Sequence, residues 1–149
     1  LNHTMLEKLN SLKYYLLPHP KSIGYEWFLE EVVPIVEETD DTLENLLHTS
    51  VLHICDKVAQ QIELNFKTKN QQLLVTGGGA LNSFLIETLQ EKLGETTKVG
   101  VPEKIIIEFK EALVFALMGV LRIEQLTNVL SSVTGAKKDS SSGVLFIPN

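Results

Sequence analysis

Leu73-Leu74-Val75-Thr76-Gly77-Gly78-Gly79-Ala80-Leu81-Asn82 is the stretch on which the fold turns: an apolar run, three consecutive glycines, then the opening of a helical pattern. Gln72 to Val75 read as a buried strand, and Phe84 to Leu93 place Leu85, Ile86, Leu89 and Leu93 on one helical face. The glycines remove every Cβ between the two, so the backbone is free to take positive φ and a ligand can come close to the main chain. A helix beginning near Asn82 or Ser83 presents unpaired N–H groups and the positive end of its dipole to that turn. An anion or a ribose-phosphate suits such a place. The structural alternative is that a strand-to-helix connection uses glycine simply to turn. Two familiar phosphate-binding patterns are disfavoured: no Lys-Ser/Thr pair follows the glycines, and Asn82 stands where a dinucleotide fingerprint has its third glycine.

Outward from that turn, the chain of 149 residues is long enough for a proper core, and 44% apolar with 21% charged is an ordinary globular composition. One domain over residues 1–149 is expected. A formal charge of −6 leaves no basic stripe, which argues against nucleic acid and anionic membrane as partners. Cys55 is the single cysteine, so neither an internal disulfide nor a cysteine metal cluster is expected, and a reducing, cytoplasmic setting fits. The longest apolar run, Ala112 to Leu121, is about half a membrane span and reads as a buried helix. Leu1-Asn2-His3 has neither an initiator Met nor a secretory pattern, and is expected to belong to a longer polypeptide.

Met5 to Leu17 reads as a short helix, and a second runs from about Tyr25 to Glu38 with an irregularity expected at Pro34. Thr39, Asp40 and Asp41 offer caps for the longest helix, to about Phe66. Leu43, Leu47, Val51, Ile54, Val58, Ile62 and Phe66 make a stripe on it that should face a core. Lys67 to Gln71 is a polar turn before the strand and glycines. Strands near Lys98 to Pro102 and Ile105 to Ile107 precede a helix from about Phe109 to Leu126. Val129 to Ser142 reads as loop, and Val144 to Ile147 as a last strand. Strands alternating with helices predict an α/β unit, helix-rich, with a small mixed or parallel sheet.

Four segments of this order carry a resemblance: His19-Pro20-Lys21-Ser22-Ile23-Gly24; Leu74 to Asn82; Phe109-Lys110-Glu111-Ala112-Leu113-Val114-Phe115-Ala116; and Ser132-Val133-Thr134-Gly135-Ala136. Together they are similar to the C-terminal part of the anhydro-N-acetylmuramic acid kinase family, within the actin-like (ribonuclease H-like) sugar kinase and Hsp70 ATPase superfamily. The match runs along nearly the full chain. The resemblance implies a two-lobed, ATP-dependent carbohydrate kinase acting with Mg²⁺. It phosphorylates 1,6-anhydro-N-acetylmuramic acid with hydrolysis of the anhydro ring, to give N-acetylmuramic acid 6-phosphate in peptidoglycan recycling. Nucleotide and amino sugar lie between the lobes, and a homodimer is a candidate assembly.

By the same resemblance, Gly77, Gly78 and Gly79 match the superfamily's adenosine motif, with Ala80 and Asn82 at the helix start beside the nucleotide. Glu111 matches an acidic residue near the sugar, where it would orient a hydroxyl or water; its plain alternative is a first-turn carboxylate beside Lys110. Lys21 and Ser22 match a Pro-Pro-Lys-Ser-Thr-Gly segment from which the chain departs at His19 and Ile23, and a solvated loop lysine is the alternative to a substrate contact. The first phosphate loop and the aspartate acting as general base belong to the missing N-terminal lobe. No catalytic residue and no metal ligand is therefore assigned here, and the piece alone is expected to be inactive. Asp40, Asp41, Asp56 and Asp139 read as caps, helix surface and tail, while His48 and His53, five apart, fall on different helical faces. A non-catalytic interaction or regulatory module of actin-like fold, and a kinase of the superfamily for another sugar, stand as alternatives.

Overall fold

A computed structural model describes residues 1–18, 21–66 and 70–146. They form two compact units, Leu1–Val101 and Pro102–Asn149. Helix α1 spans His3–Asn10; Asn2 caps it by accepting from Met5 N–H at 2.8 Å. A 3₁₀ turn over Lys13–Leu16 follows, so the expected single helix from Met5 to Leu17 breaks at Ser11-Leu12. The next segment runs as α2 (Tyr25–Trp27), a π-helical turn (Phe28–Val32) and α3 (Val33–Glu37). Pro34 explains the π turn, because its missing N–H and its ring disrupt the preceding i→i−4 ladder.

Helix α4 spans Leu43–Asn65 and is capped by Thr42, whose side chain accepts from Asn45 N–H, not by Thr39, Asp40 or Asp41. Asp41 serves the cap indirectly, accepting from Thr42 N–H and the Asn45 amide at 2.7 Å each. These bonds and one from Asn2 favour its ionised form and hold its carboxyl below the usual range. The expected stripe along α4 is corrected: Leu43, Leu47, Ile54 and Phe66 are exposed, while Thr49, His53, Cys55 and Ala59 are buried. The helix is sandwiched between two clusters, which takes two faces in place of one. Cys55 and Ala59, flanked by Val51, Val58 and Ile62, pack on Leu89 and Leu93 and on the strands. Leu46, beside buried Thr49 and His53, packs with Met5, Leu9 and Leu12.

Strand β1 (Gln71–Leu74), helix α5 (Ser83–Leu93) and strand β2 (Thr97–Gly100) complete the first unit. The strands pair in parallel from Gln71↔Thr97 to Leu74↔Gly100, as the alternation predicts. Leu73, Val75 and Val99 face the α4–α5 layer. On α5, Lys92 pairs with Asp56 of α4 at 2.5 Å, so Asp56 is a cross-helix tether.

The second unit holds α6 (Lys104–Ile123) and α7 (Ser131–Thr134). The expected strand over Ile105 to Ile107 is the opening of α6. Three β-branched residues favour a strand only weakly, and the twenty-residue helical run overrides them. The expectation that this helix lies deep is also corrected: none of its residues is buried, and Phe109, Leu113, Phe115, Leu117 and Val120 are exposed. The stretch expected to be loop contains α7 and an antiparallel bridge between Val129 and Ser140. Asp139 accepts from both Ser131 N–H and Ser131 Oγ, which lowers its carboxyl's pKa. Val144 to Phe146 take no strand geometry, and Ile147 lies outside the described residues, as do Lys67, Thr68 and Lys69 of the polar turn. No helix among the described residues is long and apolar enough to cross a membrane.

Candidate functional site

The glycine turn stands at the carboxyl end of β1, the edge of a parallel sheet where open α/β folds hold ligands. Val75 N–H donates to Gly100 O at 2.9 Å and carries the pairing one residue past the strand. Gly77 then takes φ +83° and ψ −174°, a conformation that excludes side chains, and a 3₁₀ turn runs over Gly78–Leu81. Ala80 N–H donates to Gly77 O at 3.0 Å and Asn82 N–H to Gly79 O at 3.1 Å. Asn82 caps α5 through its side-chain oxygen, which accepts from Leu85 N–H at 3.1 Å. The helix therefore begins at Ser83, its N-terminal dipole aimed back at the turn.

Each glycine can be asked what a side chain there would meet. At Gly77 the backbone forbids one. At Gly78 the φ is ordinary and an added Cβ finds nothing within 4 Å beyond the adjoining backbone. At Gly79 it meets only Leu85 Cδ1, at 4.0 Å, an ordinary contact. Neither packing nor φ requires glycine at Gly78 or Gly79, whereas close approach by something outside the chain would. Thr76 adds to this, for its Oγ1 is buried and has no hydrogen-bond partner among the described residues. Ala80 is itself buried and Asn82 is used as a cap, so each also has a structural task.

Lys21 is held within its own loop. Its Nζ donates to Tyr14 O at 3.0 Å and Tyr15 O at 3.3 Å and lies 4.7 Å from the Tyr14 ring centroid. Ser22 is exposed, and His19 and Pro20 lie outside the described residues. Glu111 lies in the second unit, exposed, in the middle of α6. The first-turn explanation for this carboxylate is corrected, because α6 starts at Lys104 and its i,i+4 ion pair joins Lys104 to Glu108 at 3.3 Å. Thr134 and Gly135 end α7, Gly135 at φ +73° as its left-handed C-terminal residue. Among the described residues no group of three or more His, Cys, Asp or Glu could hold a metal ion.

One polar cluster escaped the sequence reading. Tyr15 Oη lies 2.9 Å from His53 Nε2, and His53 Nδ1 lies 3.2 Å from Asn10 Oδ1. An amide oxygen only accepts, so Nδ1 carries the proton and Nε2 accepts from the Tyr15 hydroxyl. Burial, helped by the Lys57 ammonium and opposed by Asp56, lowers the His53 pKa from 6.5 to about 4, and burial raises that of Tyr15. The partners are 38 and 43 residues apart, beyond any local signal. The four-residue spacing of Thr49 and His53 was the one available sign of a second buried face. His48 instead packs on Phe84, ring centroids 5.3 Å apart.

The profile of the anhydro-N-acetylmuramic acid kinase family matches residues 1–148. The chain is similar to the anhydro-N-acetylmuramic acid kinase of Vibrio cholerae serotype O1, 33% identical over 159 aligned positions that cover 100% of this chain and 41% of that protein. It is 34% identical to that of Aliivibrio fischeri over 153 positions, 96% of this chain and 40% of the relative. The kinase of Sulfurimonas denitrificans is 31% identical over 154 positions, with 97% and 41% covered. The chain thus spans about two fifths of the length of these curated relatives.

Proposed function

The chain belongs to the anhydro-N-acetylmuramic acid kinase family, and from that premise we propose that it carries the nucleotide-binding part of an actin-like sugar kinase. The whole enzyme would use ATP to phosphorylate 1,6-anhydro-N-acetylmuramic acid. Water would add across the anhydro bridge, giving ADP and N-acetylmuramic acid 6-phosphate in the cytoplasm. The observation that carries the nucleotide part is Gly78: nothing within the chain asks for glycine there, and a Cβ would occupy open space beside the turn.

In this reading the Gly77–Gly79 backbone lies against the ribose-phosphate of ATP. Ala80 and Asn82 keep the turn and the first N–H groups of α5 in place, so the anion meets fixed donors and the positive end of the helix dipole. Glu111, exposed and without a capping task, would accept a hydrogen bond from a sugar hydroxyl or the attacking water. Among the described residues no group of three or more His, Cys, Asp or Glu could hold Mg²⁺; the ion would be held by the phosphates and the other lobe. The general base and the first phosphate loop would lie in the rest of the family's length. That other lobe, or a second copy in a homodimer, would cover the apolar side chains that α6 exposes. Lys21, already bonded to its own loop, would steady that loop and Ser22 without touching phosphate.

Isothermal titration of the full-length protein with ADP tests the reading. Saturable binding is expected, and its absence would overturn the nucleotide assignment. The present chain by itself should hydrolyse no ATP with the anhydro sugar present; turnover near the full-length rate would place the chemistry within these residues.

A further inference from the structure

The turn after β1 contains a polar atom that the chain leaves unused. Thr76 Oγ1 is sealed from solvent and bonds to nothing among the described residues. Its surroundings give it no role in the fold: the neighbouring Val75 N–H is already taken by Gly100 O, and the reversal of direction is made by Gly77 at φ +83°. Valine has nearly the same shape as threonine and would fill the position without burying an unpaired hydroxyl, which is the less favourable choice for a chain considered alone. The hydroxyl acquires a use only if a further group arrives. Thr76 stands directly before the glycines, at the carboxyl end of a parallel strand and across the turn from the N-terminus of α5. An arriving anion would meet it there.

We propose that the Thr76 hydroxyl is a phosphate-binding donor, giving its hydrogen bond to a phosphate oxygen of the bound nucleotide. The assignment rests on the nucleotide reading of the glycine turn and names a side chain that fixes the phosphate there. Oγ1 is closed off from solvent and has no partner among the described residues. A staggered rotation about χ1 would turn it to the arriving phosphate, exchanging an unpaired buried donor for a charge-assisted bond to an anionic oxygen. No proton is transferred and no bond to phosphorus forms.

Thr76→Val and Thr76→Ser in the full-length protein test it, each titrated with ADP and with adenosine and each followed through thermal unfolding. Thr76→Val should raise the ADP Kd about tenfold, as expected for one bond to a charged group. It should leave the adenosine Kd unchanged and the Tm equal or higher. Thr76→Ser, which keeps the hydroxyl, should hold ADP within about threefold of the parent. An unchanged ADP Kd in Thr76→Val overturns the proposal, and so does a lowered Tm with unchanged affinity, the mark of a structural hydroxyl. Equal weakening of ADP and adenosine would move the contact to the nucleoside and refute the phosphate assignment. If the parent protein binds adenosine and ADP equally well, the nucleotide reading survives and this one fails. If it binds neither, both fall.

Discussion

The C-terminal end of α5 is closed by its own side chains, whereas the N-terminal end is not. At the C-terminal end Gly94 takes φ +58° and ψ −145°, a conformation that selects glycine whatever surrounds it. Gln90 fastens the following turn: its Nε2 donates to Gly94 O at 2.8 Å and Thr97 O at 3.1 Å, and its Oε1 accepts from Val99 N–H at 2.8 Å. Thr96 Oγ1 donates to Leu93 O at 2.9 Å. At the other end, beyond the Asn82 cap, neither Gly78 nor Gly79 is required by its φ or by a tight neighbour, Gly79 meeting Leu85 Cδ1 only at an ordinary 4.0 Å, and the Thr76 hydroxyl has no partner among the described residues. A glycine that the backbone dictates reports on the chain; one that nothing in the chain dictates would, on the nucleotide reading proposed above, report on what the chain holds. Substitutions at the closed end should therefore appear in stability alone, and those at the open end in nucleotide affinity alone.

The sharpest attempt to break that division is Gly78→Leu. A side chain in the space beside the turn should weaken ADP binding on the order of 1,000-fold, about 4 kcal/mol, while the Tm stays put. A lowered Tm with intact ADP binding would make Gly78 part of the closed structure and undo the contrast. Next in size is the titration of His53, in the other closed polar cluster of the same unit. Its folded pKa of about 4 lies below the 6.5 of the free side chain. Between those values the unfolded chain binds more protons, so stability is full above pH 6.5, falls as pH drops through the window and levels off below about 4. The loss should total roughly 3 kcal/mol. Thermal unfolding across that range should show the slope, and His53→Gln should remove it without changing the ADP Kd at neutral pH. Gln90→Leu comes third. It leaves Val99 N–H and two carbonyls without partners, for a loss of about 2 kcal/mol by denaturant unfolding and none in ADP affinity.

The sequence made the open end legible and the closed surroundings much less so. Three glycines between an apolar run and a helical pattern are a local signal, and the β1–turn–α5 order follows from residues 72 to 93 read in place. Pro34 likewise marks its own irregularity. The partners of α4 could not be read that way. Leu43, Leu47 and Ile54 have helical spacing yet are exposed, because burial follows which neighbours dock, and here they dock on the faces of His53 and Cys55. Depth failed for α6 on similar grounds: an apolar helix shows that burial is wanted, not which segment supplies it. As for the site, the glycines were visible in the sequence. The orphaned Thr76 hydroxyl, the freedom at Gly78 and the distance of Glu111 from its helix start depend on how the chain is placed in space, which no local pattern carries.

The finest test compares alanine at two glycines on either side of α5. Gly94→Ala forces a side chain into a backbone region that L-residues avoid, and should cost about 1–3 kcal/mol while leaving the ADP Kd unchanged. Gly78→Ala meets neither obstacle, since φ there is ordinary and, beyond the adjoining backbone, nothing in the chain lies within 4 Å of the new methyl. Alanine also restricts the unfolded chain more than glycine does, so stability should be unchanged or rise by up to about 1 kcal/mol. Any loss of ADP affinity in Gly78→Ala then comes from the methyl group lying where the nucleotide would, because the protein has lost nothing else. If the methyl is accepted with full affinity and Gly78→Leu is accepted too, the ligand does not approach the backbone at this turn. The glycine at the open end would then have no more meaning than a bend.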